Sequence, residues 1–245
     1  MKIVGMIPAR LKSTRLPGKP LKEIEGLPMI IHVMKRTMLC DDLDEVYVVT
    51  DSEEIYKVVE EYGGKAIMTS DKHATGTDRI AEAVENIECD IVVNIQGDEA
   101  LVRPDHISKA LEPLIEDASI QMSTLMCETD QFNEINECKM VVNQNSEVLY
   151  FSRNDIPSDL RVKHQNLFKL YSIVPFRKDF ILKFAGWDQT PLEKIEYIEY
   201  LRALEKGYKI KAVLVCEPSQ SVDTPKDLEL VREIMKNDKI KARYL

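Results

Sequence analysis

Glycine is scarce in this chain, with nine in 245 residues. None of them builds the Gly-x-Gly-x-x-Gly fingerprint of dinucleotide binding. The Walker pattern is also missing, because Gly18-Lys19 is followed by Pro20 and position 13 is serine. Both usual phosphate-cradling loops are therefore disfavoured. Cysteine is sparse and scattered: Cys40, Cys89, Cys127, Cys138 and Cys216, odd in number and without a Cys-x-x-Cys. That reads as reduced thiols and argues against a disulfide framework or a zinc site. No apolar run approaches the roughly 18 residues of a spanning helix. No signal-peptide pattern precedes Met1-Lys2-Ile3-Val4-Gly5, which runs straight into a strand-like segment. A cytoplasmic protein is expected. Positive charge is in deficit, with 33 Lys and Arg against 42 Asp and Glu and a net charge of −9. This argues against a nucleic-acid partner but leaves room for a small anion held by a local basic cluster.

What is present is an alternation of short apolar runs with helical patterns. Residues 3–7, 46–50 and 90–95 read as buried strands, with a short strand expected at 65–69. Met29, Ile30, Val33, Met34 and Met38 recur at helical spacing behind Pro28. A helix over about 53–62 ends at Gly63-Gly64, and another begins near Thr77. This βαβαβ order predicts an α/β fold with a mostly parallel central sheet, which binds ligands beyond the C-terminal ends of its strands. Near residue 118 the pattern changes. Residues 122–126, 139–142 and 148–151 look like strands of an antiparallel part. Thr190-Pro191-Leu192-Glu193 opens a helix with Ile195, Ile198, Leu201 and Leu204 on one stripe, stopped by Gly207. Residues 209–215 form a late strand. Thr224-Pro225 opens a last helix facing inward with Leu228, Val231 and Ile234. With no repeat or linker, one domain over 1–245 is the simplest reading.

Four clusters are able to carry chemistry. The loop after the first strand holds Arg10, Lys12, Arg15 and Lys19 around Gly18. Arginine forks and lysine point charges suit a polyphosphate, although a solvated basic loop has the same composition. The second cluster is Asn94-Ile95-Gln96-Gly97-Asp98-Glu99, at the end of a buried strand. Its carboxylates are hard oxygen ligands of the kind magnesium takes beside substrate phosphates, and Gly97 permits close backbone approach. A polar turn is the alternative. The third is Asp223, before a Thr224-Pro225 that is also an ordinary helix start. The fourth is His73-Ala74-Thr75-Gly76-Thr77-Asp78-Arg79, where Thr77 could serve only as a cap.

Together these clusters resemble the CMP-Kdo synthetases, the 3-deoxy-manno-octulosonate cytidylyltransferases. The resemblance runs in order through Ile7-Pro8-Ala9-Arg10, residues 13–21 with Ser13, Arg15 and Lys19, Val48-Val49-Thr50-Asp51, residues 76–79, residues 94–99, Tyr150-Phe151-Ser152-Arg153, Pro191-Leu192-Glu193 and Val222-Asp223-Thr224-Pro225. It implies a nucleotide-diphospho-sugar transferase fold of the GT-A type, a homodimer, and the substrates CTP and a small acidic sugar. Residues 1–118 would bind CTP, and 119–245 would serve acceptor binding and dimerisation. It implies catalytic Mg2+ on Asp98 and Asp223, with Arg10, Lys19, Asp98 and Asp223 as the catalytic set. Ala9, Arg10, Ser13, Arg15, Lys19, Thr77, Arg79 and Gln96 would contact CTP. Lys139, Arg153 and Glu193 would lie near the acceptor, although Thr190-x-x-Glu193 is also a capping box.

One stretch departs from the family. Where relatives carry His-x-Gly-x-Tyr-x-Tyr-Arg, this chain reads Leu170-Tyr171-Ser172-Ile173-Val174-Pro175-Phe176-Arg177. A site that has lost such polar groups is expected to bind Kdo more weakly or to take another acceptor, such as a different ulosonic acid, an amino-sugar acid or a phosphonate. Ala100 also replaces the family's proline, a minor change. The rival classes are a catalytically silent nucleotide-binding protein and a glycosyltransferase using a finished sugar nucleotide. Retention of Arg10, Lys19, Asp98 and Asp223 speaks against the first, and the absence of an Asp-x-Asp at Gly97-Asp98-Glu99 against the second.

Overall fold

The computed structural model describes every residue except Thr14, His164, Glu217 and Pro218. Thr14, part of the basic-loop motif, therefore lies outside the described residues. The chain divides into two compact units: Met1–Ser108 with Ser219–Leu245, and Lys109–Pro218. The sequence reading of a single domain with an inner boundary near 118 differs from this in one respect that matters. The C-terminal segment returns to the first unit and brings Asp223 with it.

The first unit begins with β1 (Ile3–Ala9), buried at all seven positions. A loop and a 3-10 turn at Lys19–Leu21 lead to a hairpin of β2 (Glu23–Ile24) and β3 (Leu27–Pro28). Its two-residue turn, Glu25-Gly26, has positive φ at both positions, 46° and 83°, as a hairpin turn matched to strand twist requires. There follow α1 (Met29–Thr37), β4 (Glu45–Thr50), α2 (Glu53–Glu61), β5 (Lys65–Met68), α3 (Gly76–Val84) and β6 (Ile91–Ile95). The strands run parallel in the order β6-β1-β4-β5 within this unit. Continuous burial of β1 and β6 is what a parallel strand covered on both faces demands.

Helix α4 (Pro104–Glu116) carries the chain into the second unit. Its sheet contains β7 (Ser123–Thr129), β8 (Lys139–Val142), β9 (Val148–Ser152), β10 (Leu167–Tyr171) and a later strand, and β11 (Ile173–Arg177) follows β10 directly. Helices α5 (Lys178–Ala185), α6 (Pro191–Glu196) and α7 (Leu201–Glu205) precede β12 (Lys211–Leu214). The sheet order is β12-β7-β10-β8-β9, antiparallel except for the β12–β7 pair. The single helix expected from Thr190 to Leu204 is instead two. Tyr197 takes the left-handed conformation (φ 58°) and stops α6, leaving Ile195 exposed while Ile198 and Leu201 are buried. The chain ends with α8 (Pro225–Lys236), where Met235 is buried and Ile234, expected inward, is 42% exposed.

Candidate functional site

The basic loop leaves β1 at buried Ala9 and emerges at exposed Arg10. It folds back on itself, with the Gly18 amide donating to Leu11 O at 3.2 Å and the Leu16 amide to Ser13 Oγ at 3.2 Å. Gly18 sits at φ 67°, a conformation that side chains disfavour. Leu16 joins Ile24, Met29, Ala100, Leu101, Val222 and the inward face of α8 in one apolar cluster. Burying Leu16 and Pro20 anchors the loop and leaves Arg10, Arg15 and part of Lys19 toward solvent.

Two carboxylates converge on this loop. Asp98 follows β6 and Asp223 precedes α8. The Lys19 ammonium contacts Asp98 Oδ2 at 2.7 Å and Asp223 Oδ1 at 3.3 Å, and Arg15 Nη2 contacts the same Asp223 oxygen at 2.9 Å. The two turns are tied through their backbones, the Val222 amide donating to Asp98 O at 3.1 Å. Thr224 caps α8 and Asp227 accepts from the Asp223 amide at 3.1 Å. Asp223 is thus both a helix start and a member of the charged cluster. A pair of carboxylates facing one cationic point fits a divalent ion that takes one or two carboxylates and completes its shell with phosphate oxygens. Among the described residues no group of three or more His, Cys, Asp or Glu side chains forms a closed cage.

Gly97 has a reason within the fold itself. A Cβ there would lie 2.6 Å from Pro8 O. The close approach it permits is to β1's own backbone, and this lets the Asp98 turn sit against the end of the strand.

Thr77 and Arg79 are buried on α3. The cap of that helix is Thr75, whose hydroxyl accepts from the Asp78 amide at 3.2 Å, so Thr77 lies inside the first turn. Thr77 Oγ1 accepts from Asn94 Nδ2 at 3.3 Å, and Asn94 Oδ1 accepts from Gln96 Nε2 at 3.0 Å. Arg79 donates to Thr69 Oγ1 at 2.6 Å and pairs with Asp51 at 3.4 Å. In the sequence Asn94 stands out only as part of a motif. Its full burial shows it as the member that links Thr77 to Gln96. His73 contacts Glu82 and is a neighbour of this loop.

Lys139, Arg153 and Glu193 all fall in the second unit. Lys139 is fully buried on β8, bonded to Glu134 O and 3.8 Å from Asp155. Arg153 donates to Asn136 O at 2.8 Å and Tyr197 O at 3.4 Å. Glu193 is 3% exposed and receives both Arg202 Nε at 2.9 Å and Nη2 at 2.6 Å. It also accepts from the Thr190 amide at 3.1 Å, the reach-back half of a capping box. Its oxygens are thus engaged by the protein itself. An open cleft lined by Glu128, Thr129, Asp130, Gln131, Asn166 and Lys169 includes none of these three. Of the departures from the family pattern, Val174 and Phe176 are buried. Phe176 packs among Phe180, Phe184 and Tyr200, so its missing hydroxyl falls within an aromatic cluster. Leu170 and Ser172 remain half-buried.

The described cysteines are free, and burial pushes the Cys138 thiol up to about 12. Among the described residues no helix is long and apolar enough to cross a membrane.

A family profile described as Cytidylyltransferase matches residues 4–210. A 3-deoxy-manno-octulosonate cytidylyltransferase of Geobacter metallireducens is 43% identical, covering 95% of this chain and 97% of that protein. The one of Fusobacterium nucleatum is 42% identical, over 98% and 100%. The solved structure of a CMP:2-keto-3-deoxy-manno-octonic acid synthetase complexed with CTP superposes with a TM-score of 0.93 at 37% identity, over 96% of this chain and 99% of that one. A Leptospira borgpetersenii cytidylyltransferase shares the fold at a TM-score of 0.69 and 17% identity, over 98% and 90%.

Proposed function

Because the chain belongs to the cytidylyltransferase family, among the 3-deoxy-manno-octulosonate cytidylyltransferases (CMP-Kdo synthetases) with their nucleotide-sugar transferase fold, we propose that it transfers CMP from CTP to a 3-deoxy-ulosonic acid, Kdo first, and releases pyrophosphate. That it is a CTP-dependent nucleotidyltransferase follows from the same similarities. The observation that carries the finer reading is the Lys19 ammonium lying against both Asp98 and Asp223, with Arg15 on the same Asp223 oxygen.

The reaction is an in-line displacement in which an acceptor oxygen attacks the α-phosphorus of CTP. No nucleophilic side chain is required, so the rate comes from positioning and charge neutralisation. Arg10, Arg15 and Lys19 bind the triphosphate, and Arg10 and Lys19 offset charge growing on the leaving pyrophosphate. Asp98 and Asp223 would hold a magnesium ion, which when bound supplies Lewis acidity at the phosphate and acceptor oxygens. Lys19 has a flexible four-carbon stem, so its ammonium can turn from the carboxylates toward a phosphate. Ala9, Ser13, Thr77, Arg79 and Gln96 are assigned to the nucleotide, with Asn94 holding Thr77 and Gln96 in register. Lys139 and Arg153 are assigned to the acceptor's carboxylate side. Glu193 supports them indirectly, through its pair with Arg202.

The test is a pyrophosphate-release screen with CTP, magnesium and a panel of 2-keto-3-deoxy sugar acids, amino-sugar acids and phosphonates. Kdo turning over best is the expected result. A different acceptor winning would trace to Leu170 and Ser172. No release with any acceptor would leave the chain a silent nucleotide binder. A homodimer is part of the same proposal. Leu149, Leu160, Val162, Ile195 and Tyr197 expose apolar surface in the second unit for a second copy to cover, and sedimentation at low protein concentration checks it.

A further inference from the structure

The hairpin that follows Lys19 is gripped at three successive residues by side chains from α8, from α1 and from the C-terminal turn. Arg232, on α8, donates to Glu23 O with Nε at 3.0 Å and Nη2 at 2.7 Å. His32, on α1, bonds Ile24 O through Nε2 at 2.7 Å and Tyr244 Oη through Nδ1 at 2.7 Å. Lys241 pairs with the Glu25 carboxylate at 2.9 Å. Three separate side chains thus hold a two-stranded element that has few bonds of its own.

The chemistry of the middle contact is directional. A carbonyl only accepts, so the proton of His32 sits on Nε2. Nδ1 is then an acceptor, and it receives the Tyr244 hydroxyl. The ring is fully buried and meets the Tyr244 ring edge-on, with centroids 5.8 Å apart. The Ile24 carbonyl thus sets the tautomer, and Tyr244 holds the orientation with which the ring grips Ile24.

This grip reaches the charged cluster by two short routes. Glu23 is four residues from Lys19, and between them the Lys22 amide donates to Lys19 O at 3.1 Å and the Met29 amide to Lys22 O at 2.8 Å. The same α8 that holds Glu23 through Arg232 follows Asp223, whose amide donates to Asp227 of the helix's first turn. One 12-residue helix, about 18 Å long, thus sets both the Lys19 side and the Asp223 side of the cluster.

We propose that Tyr244, His32 and Arg232 are positioning residues for Lys19, and that this brace determines how tightly the basic loop holds the triphosphate of CTP. The proposal rests on the assignment of Lys19 to that triphosphate, and the experiment separates the two. CTP affinity is measured by titration calorimetry with magnesium and no acceptor, on the full chain and on Tyr244→Phe, Arg232→Met, Arg232→Lys and Lys19→Met, each with a thermal melt. Tyr244→Phe and Arg232→Met are each expected to weaken CTP binding about threefold to tenfold, and Arg232→Lys to recover most of the loss. A purely structural role would lower the melting temperature and leave affinity untouched. Unchanged affinity in Tyr244→Phe and Arg232→Met therefore overturns the brace, whatever their melting temperatures. If Lys19→Met weakens binding while those two do not, the lysine assignment stands and the brace alone falls. If Lys19→Met binds CTP normally, both fall. Should Tyr244→Phe fail to fold, Arg232→Met decides, since its side chain is 34% exposed.

Discussion

Lys19 and Asp98 meet at 2.7 Å across 79 residues of sequence. The lysine comes from the turn after β1 and the aspartate from the turn after β6. These strands pair directly and in parallel, so their C-terminal ends open onto the same edge of the sheet. The contact follows from topology before any side chain is considered.

Asp98→Asn and Asp223→Asn should each lower pyrophosphate release by at least about a hundredfold. Each removes one of the two negative oxygens facing Lys19. Circular dichroism should show the fold retained, because both side chains are only partly buried. Full turnover in either variant would sink the metal assignment.

Arg202→Met should destabilise the chain by about 3–5 kcal/mol in urea unfolding, because it leaves the Glu193 charge buried without its partner. Glu193→Gln should likewise act chiefly on stability. If its main effect were a raised KM for the acceptor with an unchanged unfolding midpoint, Glu193 would be a direct acceptor ligand.

Stability should fall as pH drops below about 6.5, the ordinary histidine value, in part through His32. Burial holds His32 below that value. Arg36 and Lys241 push the same way, and the Ile24 carbonyl and Asp238 oppose them. The unfolded chain therefore binds the proton first. The contribution is complete above the unfolded pKa and is lost as pH descends from there toward the folded one. In denaturant titrations, His32→Gln should show a shallower pH dependence than the parent chain between about pH 7 and pH 5. Parallel curves would remove His32 from the account.

Gly97→Ala should reduce both stability and turnover. Its methyl would sit 2.6 Å from Pro8 O, a backbone atom of buried β1 that has little freedom to retreat. A loss of about 1–3 kcal/mol is expected, with turnover falling as the Asp98 turn shifts. A crystal structure of the variant with the turn unmoved would contradict this.

The sequence by itself determined the βαβ order, the basic loop, the Gly97-Asp98 turn and the Asp223 helix start. Each of these is local: strand burial shows as an unbroken apolar run, and a cap or a glycine turn shows in adjacent residues. The family resemblance rested on the same local motifs and matches the comparisons over nearly the whole chain. Tertiary structure alone decided which of these pieces share a unit and what each charge faces. Ser219–Leu245 rejoins the first unit, so Asp223 reaches Lys19 across 204 residues. Glu193 turned out to be held by Arg202, Phe176 to be part of an aromatic cluster, and Gly97 to answer to Pro8. Pro8 is far from Gly97 in sequence, and no periodicity marks Arg202, on the next helix, as the partner of Glu193, because packing selects partners by shape and burial rather than by spacing. Local chemistry was legible residue by residue, and the family resemblance grouped Asp98, Asp223 and Lys19; which oxygen each cation meets was decided by the fold alone.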